Sequence, residues 1–516
     1  MRSNCVKSTV GIISSILVLT ACGGSSDDQP AAVAAPAATE LSDPALEATA
    51  AAFADTALAP TGGHAALPNM VPTLNDSGLA ATFSKSGVVD RTGPFFQSLG
   101  INGRSCSSCH IQGEGWTITP SGVQARFEKT EGTDPIFRLV DGSNSPLSDV
   151  SSVEARRSAY SMLLNKGLIR VGIGIPAGAE FELVAADDPY GFASAKELSL
   201  FRRPLPTANI EFLSTVMWDG RETFKDAKSL DCTFGTTTCF ASLHFSLHSQ
   251  SNAATVTHAE ATQPLTEEQR KGIIDFQMGL FTAQVFDRRA GHLTAQGVRG
   301  GPVALSGETF YFGINDTLDG DYRTRVPFTP TGMTAYNAWT DPGQDASFAD
   351  PQQRERVAAA RRAIARGQAL FNAKPIQIRD VKGLNDDLNI ATIPGTCTTC
   401  HNAPNVGNHS VPLPLDIGLA DASRRTPDMP LYTLRNKTSG QTVQTTDPGR
   451  ALITGKWNDI ARFKGPILRG LAGRAPYFHN GFARDLNEAV EFYDTRFGMG
   501  LTAEEKADLV AFLRAL

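Results

Sequence analysis

The same five-residue pattern occurs twice in the chain, as Cys106-Ser-Ser-Cys109-His110 and as Cys397-Thr-Thr-Cys400-His401. In C-x-x-C-H the two thiols form thioethers with the vinyl groups of a haem, and the adjacent His binds the iron from one side. A C-x-x-C is also found in redox dithiols and in halves of zinc sites, but zinc usually needs further Cys or His nearby. The two copies therefore predict two covalently bound c-type haems, with His110 and His401 as iron ligands.

The first residues predict export from the cytoplasm. A short basic region precedes the apolar run Val10 to Leu19, which is too short to span a bilayer. The run ends in Leu-Thr-Ala-Cys22, which resembles a bacterial lipobox, so residues 1–22 are expected to be a lipoprotein signal with Cys22 as the lipidated residue. Gly23 after it favours the outer membrane, facing the periplasm. Simple cleavage near Ala21 to a free periplasmic protein is the alternative.

Composition limits the partners. The chain has 53 acidic and 47 basic residues, a net charge of -6, and no basic tract, so nucleic acid is not expected to bind. A basic electron-transfer protein is a more plausible partner, because its charge is opposite to that of this acidic chain. Cys232 and Cys239 remain as an isolated pair, and in an oxidising compartment they are expected to form a local disulfide.

The length of 516 residues predicts more than one domain. Residues 23–66 are rich in Ala, Pro, Ser and Thr and are expected to be a flexible tether. A first haem domain is predicted over 67–300. A connector over 301–350 then leads to a second haem domain, for electron transfer, over 351–516.

Periodicity predicts the fold class. The stretch Leu168 to Val184 alternates in the manner of strands, while the segment from Gln353 to Phe371 has helical periodicity and strong helix formers. Thr502-Ala-Glu-Glu505 is a capping box that opens a terminal amphipathic helix. We therefore expect a mainly α fold of two cytochrome c-type haem domains, with loop and β-containing insertions.

Three further segments resemble the bacterial di-haem cytochrome c peroxidases and the related methylamine-dehydrogenase maturation enzymes. Met217-Trp-Asp-Gly-Arg221 resembles the family's F-W-D-G-R. Lys464-Gly-Pro-Ile-Leu-Arg469, followed by Ala475-Pro-Tyr-Phe-His-Asn-Gly481, resembles its K-x-P-T-L-R and A-P-Y-F-H-D-G. Leu486-Asn-Glu-Ala-Val-Glu-Phe-Tyr493 resembles the segment that carries the distal ligand of the second haem.

The resemblance implies roles for the second haem and for the path between the haems. Trp218 matches the tryptophan that relays electrons between the haems, although a packed aromatic at a turn is an equal interpretation. The distal ligand is Met in the peroxidases and Tyr in the maturation enzymes, and Tyr493 stands at the matching position. Met499 is the second candidate and His479 the third.

The peroxide-binding side is implied by the same resemblance. The family places a Gln, and ten residues later a Glu, after its W-D-G-R segment, and Gln250 and Glu260 have that spacing here. Glu260 is the expected acid/base group and Gln250 a second distal residue. His258 is a candidate proton shuttle or sixth ligand to the first haem. A solvated Glu and a surface His are the alternatives, and His244 and His248 are expected to be structural.

The family also binds calcium through an Asn ahead of a Thr-Pro, where this chain reads Arg202-Arg-Pro-Leu-Pro206. Calcium is therefore a doubtful cofactor here. The resemblance implies an oxidoreductase that reduces hydrogen peroxide, with electrons from a small cytochrome c or cupredoxin passing from the second haem to the first, or that uses peroxide to oxidise another substrate. A non-catalytic di-haem electron carrier and an oxygenase resembling the rubber-cleaving di-haem enzymes are the alternatives.

Overall fold

Small antiparallel sheets and helices surround both motifs in the computed structural model, which describes residues 40–48, 51, 65–223 and 243–516. The signal segment 1–22, most of the tether 23–66 and the cysteine pair Cys232 and Cys239 lie outside the described residues. The lipid anchor and the disulfide therefore stay predictions, as do the domain boundaries.

The described strands are short. They are β1 (Ala66–Pro68), β2 (Pro72–Asn75), β3 (Gly78–Ser84), β4 (Val88–Asp90), β5 (Ile169–Ile173), β6 (Phe181–Asp187), β7 (Leu198–Arg202), β8 (Leu280–Asp287), β9 (Gly291–His292), β10 (Ile376–Ile378), β11 (Ile393–Gly395), β12 (Leu431–Asn436) and β13 (Thr442–Thr445).

The sheets join distant parts of the chain. Strands β2, β3, β8 and β9 form a four-stranded antiparallel sheet, in which Leu79 pairs with Phe286. Strand β12 lies between β13 and β6, so a strand that precedes residue 300 pairs with one that follows residue 350. The pairs β1 with β4, β5 with β7 and β10 with β11 complete the sheets. Both halves of the chain therefore contribute to one sheet.

The α-helices whose full extent is described are α1 (Pro120–Thr130), α2 (Val153–Ala159), α3 (Ser161–Lys166), α4 (Leu243–His258), α5 (Glu267–Met278), α6 (Gly301–Ser306), α7 (Pro351–Ala373), α8 (Ala451–Thr454), α9 (Leu486–Phe497) and α10 (Ala503–Ala515). The predicted helices are confirmed as α7 and α10, and the Thr502–Glu505 capping box opens α10. The two helices approach so closely that a Cβ on Gly367 would lie 1.9 Å from the Asp508 carbonyl oxygen.

The expectation of a mainly α fold is wrong. Helical residues make up 33% and strand residues 17%, spread over several small sheets. The strands predicted within Leu168 to Val184 are present as β5 and part of β6. The central strands β3 and β8 were missed because they are buried almost throughout. A strand covered on both faces has no period-two alternation, and its apolar run resembles that of a buried helix.

Among the described helices, none is long and apolar enough to cross a membrane.

Candidate functional site

The first motif holds its histidine in a defined orientation. Cys106 begins a short 3-10 turn, and the His110 Nδ1 lies 3.1 Å from the backbone oxygen of Trp116. A carbonyl only accepts, so Nδ1 carries the proton and Nε2 keeps its lone pair for a metal. Burial lowers the pKa of His110 to about 4, which keeps the ring neutral as an iron ligand requires.

The second motif uses the same arrangement. The His401 Nδ1 lies 2.6 Å from the backbone oxygen of Gly407, which follows the histidine by six residues as Trp116 follows His110. Both carbonyls belong to residues with a left-handed backbone, φ +60° at Trp116 and +63° at Gly407. Burial also lowers the pKa of His401. Each site therefore presents a neutral imidazole with a free Nε2.

The cysteines of the motifs are poor candidates for a redox dithiol. All four are free, and burial raises the pKa of Cys106, Cys397 and Cys400 to about 12. Reactive dithiols need a lowered thiol pKa. Within the described part of the chain, no group of three or more His, Cys, Asp or Glu is arranged to hold a metal ion such as zinc. Attachment of haem uses these residues better than either alternative.

A cavity lies beside the second motif. Cys397, Cys400 and His401 line it, and so do Trp218 and Thr117. Thr117 directly follows Trp116, whose carbonyl holds His110. The lining therefore includes a residue that adjoins the support of the first motif.

The structure brings both leading candidates for the second distal ligand to this cavity. The Tyr493 ring centroid is 6.5 Å from that of His401, at 79°, and it stacks on Phe497 at 6.3 Å and 11°. Burial raises the pKa of Tyr493. Met499 packs with Cys397 and Cys400 against the same apolar cluster. The choice between phenol and thioether therefore stays a prediction.

Trp218 in the lining of the cavity is held by hydrogen bonds. Its indole N–H donates to the Arg203 carbonyl at 2.7 Å, and its own carbonyl accepts from the Lys464 N–H at 2.8 Å. The ring of His479 lies edge-on to it, with centroids 6.2 Å apart. His479, the third candidate for the distal ligand, thus lies beside Trp218, and its ring stacks on that of Phe463 with centroids 3.9 Å apart. The side chain is thus well packed, and the relay role of Trp218 stays a prediction.

Three buried cations line the same cavity. Lys464, Arg203 and Arg474 donate to backbone carbonyls, and no carboxylate among the described residues lies within ion-pair distance of them. Burial lowers the pKa of Lys464 to about 7 and those of Arg203 and Arg474 to about 10. Buried charges need a partner of opposite sign. The two carboxylates of a haem are suitable partners, so the residues present fit the group.

The residues do not fit the family's calcium. The guanidinium of Arg202, 3% exposed, donates to Asp447 at 2.7 and 2.9 Å and to Asp219 at 2.5 Å. Asp219 also pairs with Arg221 at 2.5 Å. The Asp and Arg of the Trp-Asp-Gly-Arg segment therefore belong to the same ionic network as Arg202. The Arg202 guanidinium, which lies in the region that matches the family's calcium segment, would repel a metal ion.

The predicted distal residues lie partly together. His258 ends α4, and the Asn102 amide donates at 2.9 Å both to the His258 carbonyl and to the Glu260 carboxylate. Glu260 is exposed and has a left-handed φ of +54°. Gln250 lies about two turns earlier on α4, and no described hydrogen bond joins it to these residues. His248 pairs with Glu267 at 2.9 Å.

Two groups of residues were missed by the sequence analysis. Asp141 and Arg104 contact each other and support His258. His409 lines the cavity, and burial together with His401 lowers its pKa to about 4. A histidine eight residues after the motif was a signal for His409, whereas no pattern marks Asp141.

Known proteins resemble parts of this chain. No family model matches it. The cytochrome-c peroxidase IdrP1 of Pseudomonas sp. strain SCT is 30% identical over 29% of this chain and 39% of its own length. The cytochrome-c peroxidase IdrP2 of Denitromonas iodatirespirans is 35% identical over 25% of this chain and 38% of its own. The cytochrome c551 peroxidase of Pseudomonas aeruginosa is 27% identical over 28% of this chain and 35% of its own.

These matches span well under half of each relative. The predicted resemblance to bacterial cytochrome c peroxidases is nevertheless confirmed by their names, which are those of oxidoreductases, and the family implies haem c. A solved structure of a MauG-like protein associated with microbial copper homeostasis covers 81% of this chain and 85% of its own, at 15% identity and a TM-score of 0.31. That TM-score is too low to show a shared fold.

Proposed function

We propose that this protein is a di-haem c-type peroxidase, which reduces hydrogen peroxide at the His110 site with electrons that enter at the His401 site. The observation that carries the proposal is the repeated arrangement of a buried, neutral histidine held by a backbone carbonyl beside two free thiols. The names of the relatives support the same activity. Haem iron, when bound, supplies the redox chemistry and the Lewis acidity toward peroxide.

The protein's own groups would orient the haems, provide the electron path and move protons. The Trp116 and Gly407 carbonyls orient the two imidazoles, and the buried cations Arg203, Lys464 and Arg474 bind haem carboxylates. Trp218 is our candidate for the electron path, because it lines the cavity that also holds His401. Glu260 and His258 move protons at the first site, since peroxide cleavage needs one oxygen deprotonated and the other protonated.

The electron donor is proposed to be a small cytochrome c or cupredoxin outside the cytoplasm, reached by a chain anchored through Cys22. If Tyr493 is the distal ligand of the second haem, we propose that the protein instead uses peroxide to oxidise a second substrate. A phenolate favours ferric and higher iron states, whereas a thioether favours electron entry.

Two measurements test the proposal. Mass spectrometry of protein matured in a haem-attaching periplasm should show two covalent haems, and the Cys397→Ala, Cys400→Ala variant should show one. Peroxide should be consumed with oxidation of a reduced small cytochrome, and Glu260→Gln should slow this by about 100- to 10000-fold with both haems attached.

Electron paramagnetic resonance separates the alternatives. A high-spin ferric signal is expected from the first site, since peroxide needs an open iron face. Two low-spin signals with no peroxide turnover would identify a di-haem electron carrier instead. Cleavage of polyisoprene in the presence of oxygen would identify the oxygenase.

A further inference from the structure

A buried aspartate far from either motif in sequence contacts His258. We infer that Asp141 is the positioning residue that holds the His258 ring beside the first motif, with Nε2 left free to accept a proton from peroxide. The inference rests on the proposed function and assigns a new residue to its first site. Asp141 is 4% exposed, and its Oδ2 contacts the His258 Nδ1.

The contact defines the tautomer of His258. An ionised carboxylate only accepts hydrogen bonds, so the proton lies on Nδ1 and Nε2 carries the lone pair. Among the described residues, no hydrogen bond to Nε2 is found, and the side chain is 37% exposed. A carboxylate behind an imidazole also stabilises the imidazolium that forms when the ring takes up a proton.

Arg104 connects this pair to the haem motif. Its Nη1 contacts Asp141 and lies 3.2 Å from the His258 carbonyl, while its Nε donates to the Pro135 carbonyl at 2.8 Å. Arg104 precedes Cys106 by two residues, so the pair is held in register with the first motif. Burial raises the pKa of Asp141, but Arg104 and His258 lower it further, and the carboxylate stays ionised.

The other side of His258 is held by Asn102, which also bonds to Glu260. The charged groups around the ring are thus Asp141, Arg104 and Glu260, with Arg138 donating to the Asn102 carbonyl at 2.9 Å. Asn102 and Arg104, which both contact the His258 backbone carbonyl, precede Cys106 by four and two residues. The arrangement places His258 as an oriented base at the first site, with the carboxyl group of Glu260 beside it.

The proton balance is simple. Reduction of hydrogen peroxide to two waters consumes two electrons, from the donor protein, and two protons, from solvent. His258 takes the proton from one peroxide oxygen and returns it to the other as the O–O bond breaks, so the residue itself is unchanged. Asp141 stays ionised throughout.

Asp141→Asn is the decisive variant and Asp134→Asn its matched control. Asp134 pairs with Arg126 at 3.1 Å, and Arg126 bonds to the Ser108 carbonyl inside the first motif, but neither contacts His258. Each change removes one carboxylate from an arginine beside the same motif. Removing a residue that orients a functional histidine typically costs about 10- to 100-fold. We expect that loss in the peroxide step for Asp141→Asn and none for Asp134→Asn.

Cyanide binding to the ferric protein gives a readout other than turnover. Cyanide arrives as HCN and must lose its proton, so its binding rate, followed optically, also depends on the base. Asp141→Asn should slow it, and Asp141→Glu should restore part of the rate. In a His258→Ala background, Asp141→Asn should add no further loss.

Three results would overturn the inference: equal rates in Asp141→Asn and Asp134→Asn, an undiminished Asp141 effect without His258, or Asp141→Glu no faster than Asp141→Asn at equal thermal stability. Failure of the proposed function looks different. The native protein would then not turn over peroxide, while the cyanide rates would still separate Asp141→Asn from its control.

Discussion

Replacing Gly407 by alanine tests how the second histidine is held. Gly407 has φ +63°, and an added Cβ would lie 2.6 Å from the Met333 methyl carbon and 3.0 Å from Leu468. An L-residue in this conformation costs about 1–2 kcal/mol, and overpacking a core costs about 1–3 kcal/mol more. Gly407→Ala should therefore lower the free energy of unfolding by about 2–5 kcal/mol.

Gly498→Ala is the control. Gly498 has φ +59°, but nothing lies within 4 Å of its added Cβ, so it tests the backbone cost alone, about 1–2 kcal/mol. The two variants should differ by about 1–3 kcal/mol in denaturant titrations followed by circular dichroism.

The haem spectrum distinguishes the two variants further. Displacement of the Gly407 backbone would lengthen its 2.6 Å hydrogen bond with the His401 Nδ1 and make the imidazole a weaker donor to iron. Only the second haem should respond, with a shifted optical band and a raised reduction potential, and only in Gly407→Ala. Equal destabilisation of both variants, with an unchanged second haem, would refute the proposed support of His401.

Three other predictions concern the same cavity. Tyr493→Phe should change the optical and spin state of the second haem, and a spectrum that instead responds only to Met499→Ala would assign the ligand to the thioether. A calcium chelator should leave the spectra of the native protein unchanged, and a chelator-sensitive spectrum would contradict this assignment. Arg202→Gln should destabilise the protein by about 3–5 kcal/mol in denaturant titrations, because buried Asp447 loses its arginine and buried Asp219 keeps only Arg221. Burial lowers the pKa of Lys464 from 10.5 to about 7. Between pH 7 and pH 10.5 the unfolded chain therefore binds more protons than the folded one. The free energy of unfolding of haem-free protein should rise with pH over this range. Lys464→Met should reduce that rise in unfolding titrations at pH 7 and 9, and an identical slope would count against the buried ammonium.

The sequence by itself predicted covalent haem attachment. Thioether attachment and ligation by the adjacent histidine need only five consecutive residues, so C-x-x-C-H can be recognised without knowledge of the fold. The helices α7 and α10 were predictable for the same reason, since caps and helical periodicity are local. The sequence also showed that the region Arg202 to Pro206 departs from the family's calcium segment, and this departure made calcium doubtful.

Only the tertiary structure decided what surrounds the two motifs. Asp141 and His258 are 117 residues apart, and their contact depends on how α4 packs against the segment before Cys106. The cation cluster of Arg203, Lys464 and Arg474 likewise joins segments separated by more than 200 residues. Burial changes the pKa of such groups and removes the alternation of β3 and β8, and burial is a property of packing that no local pattern encodes.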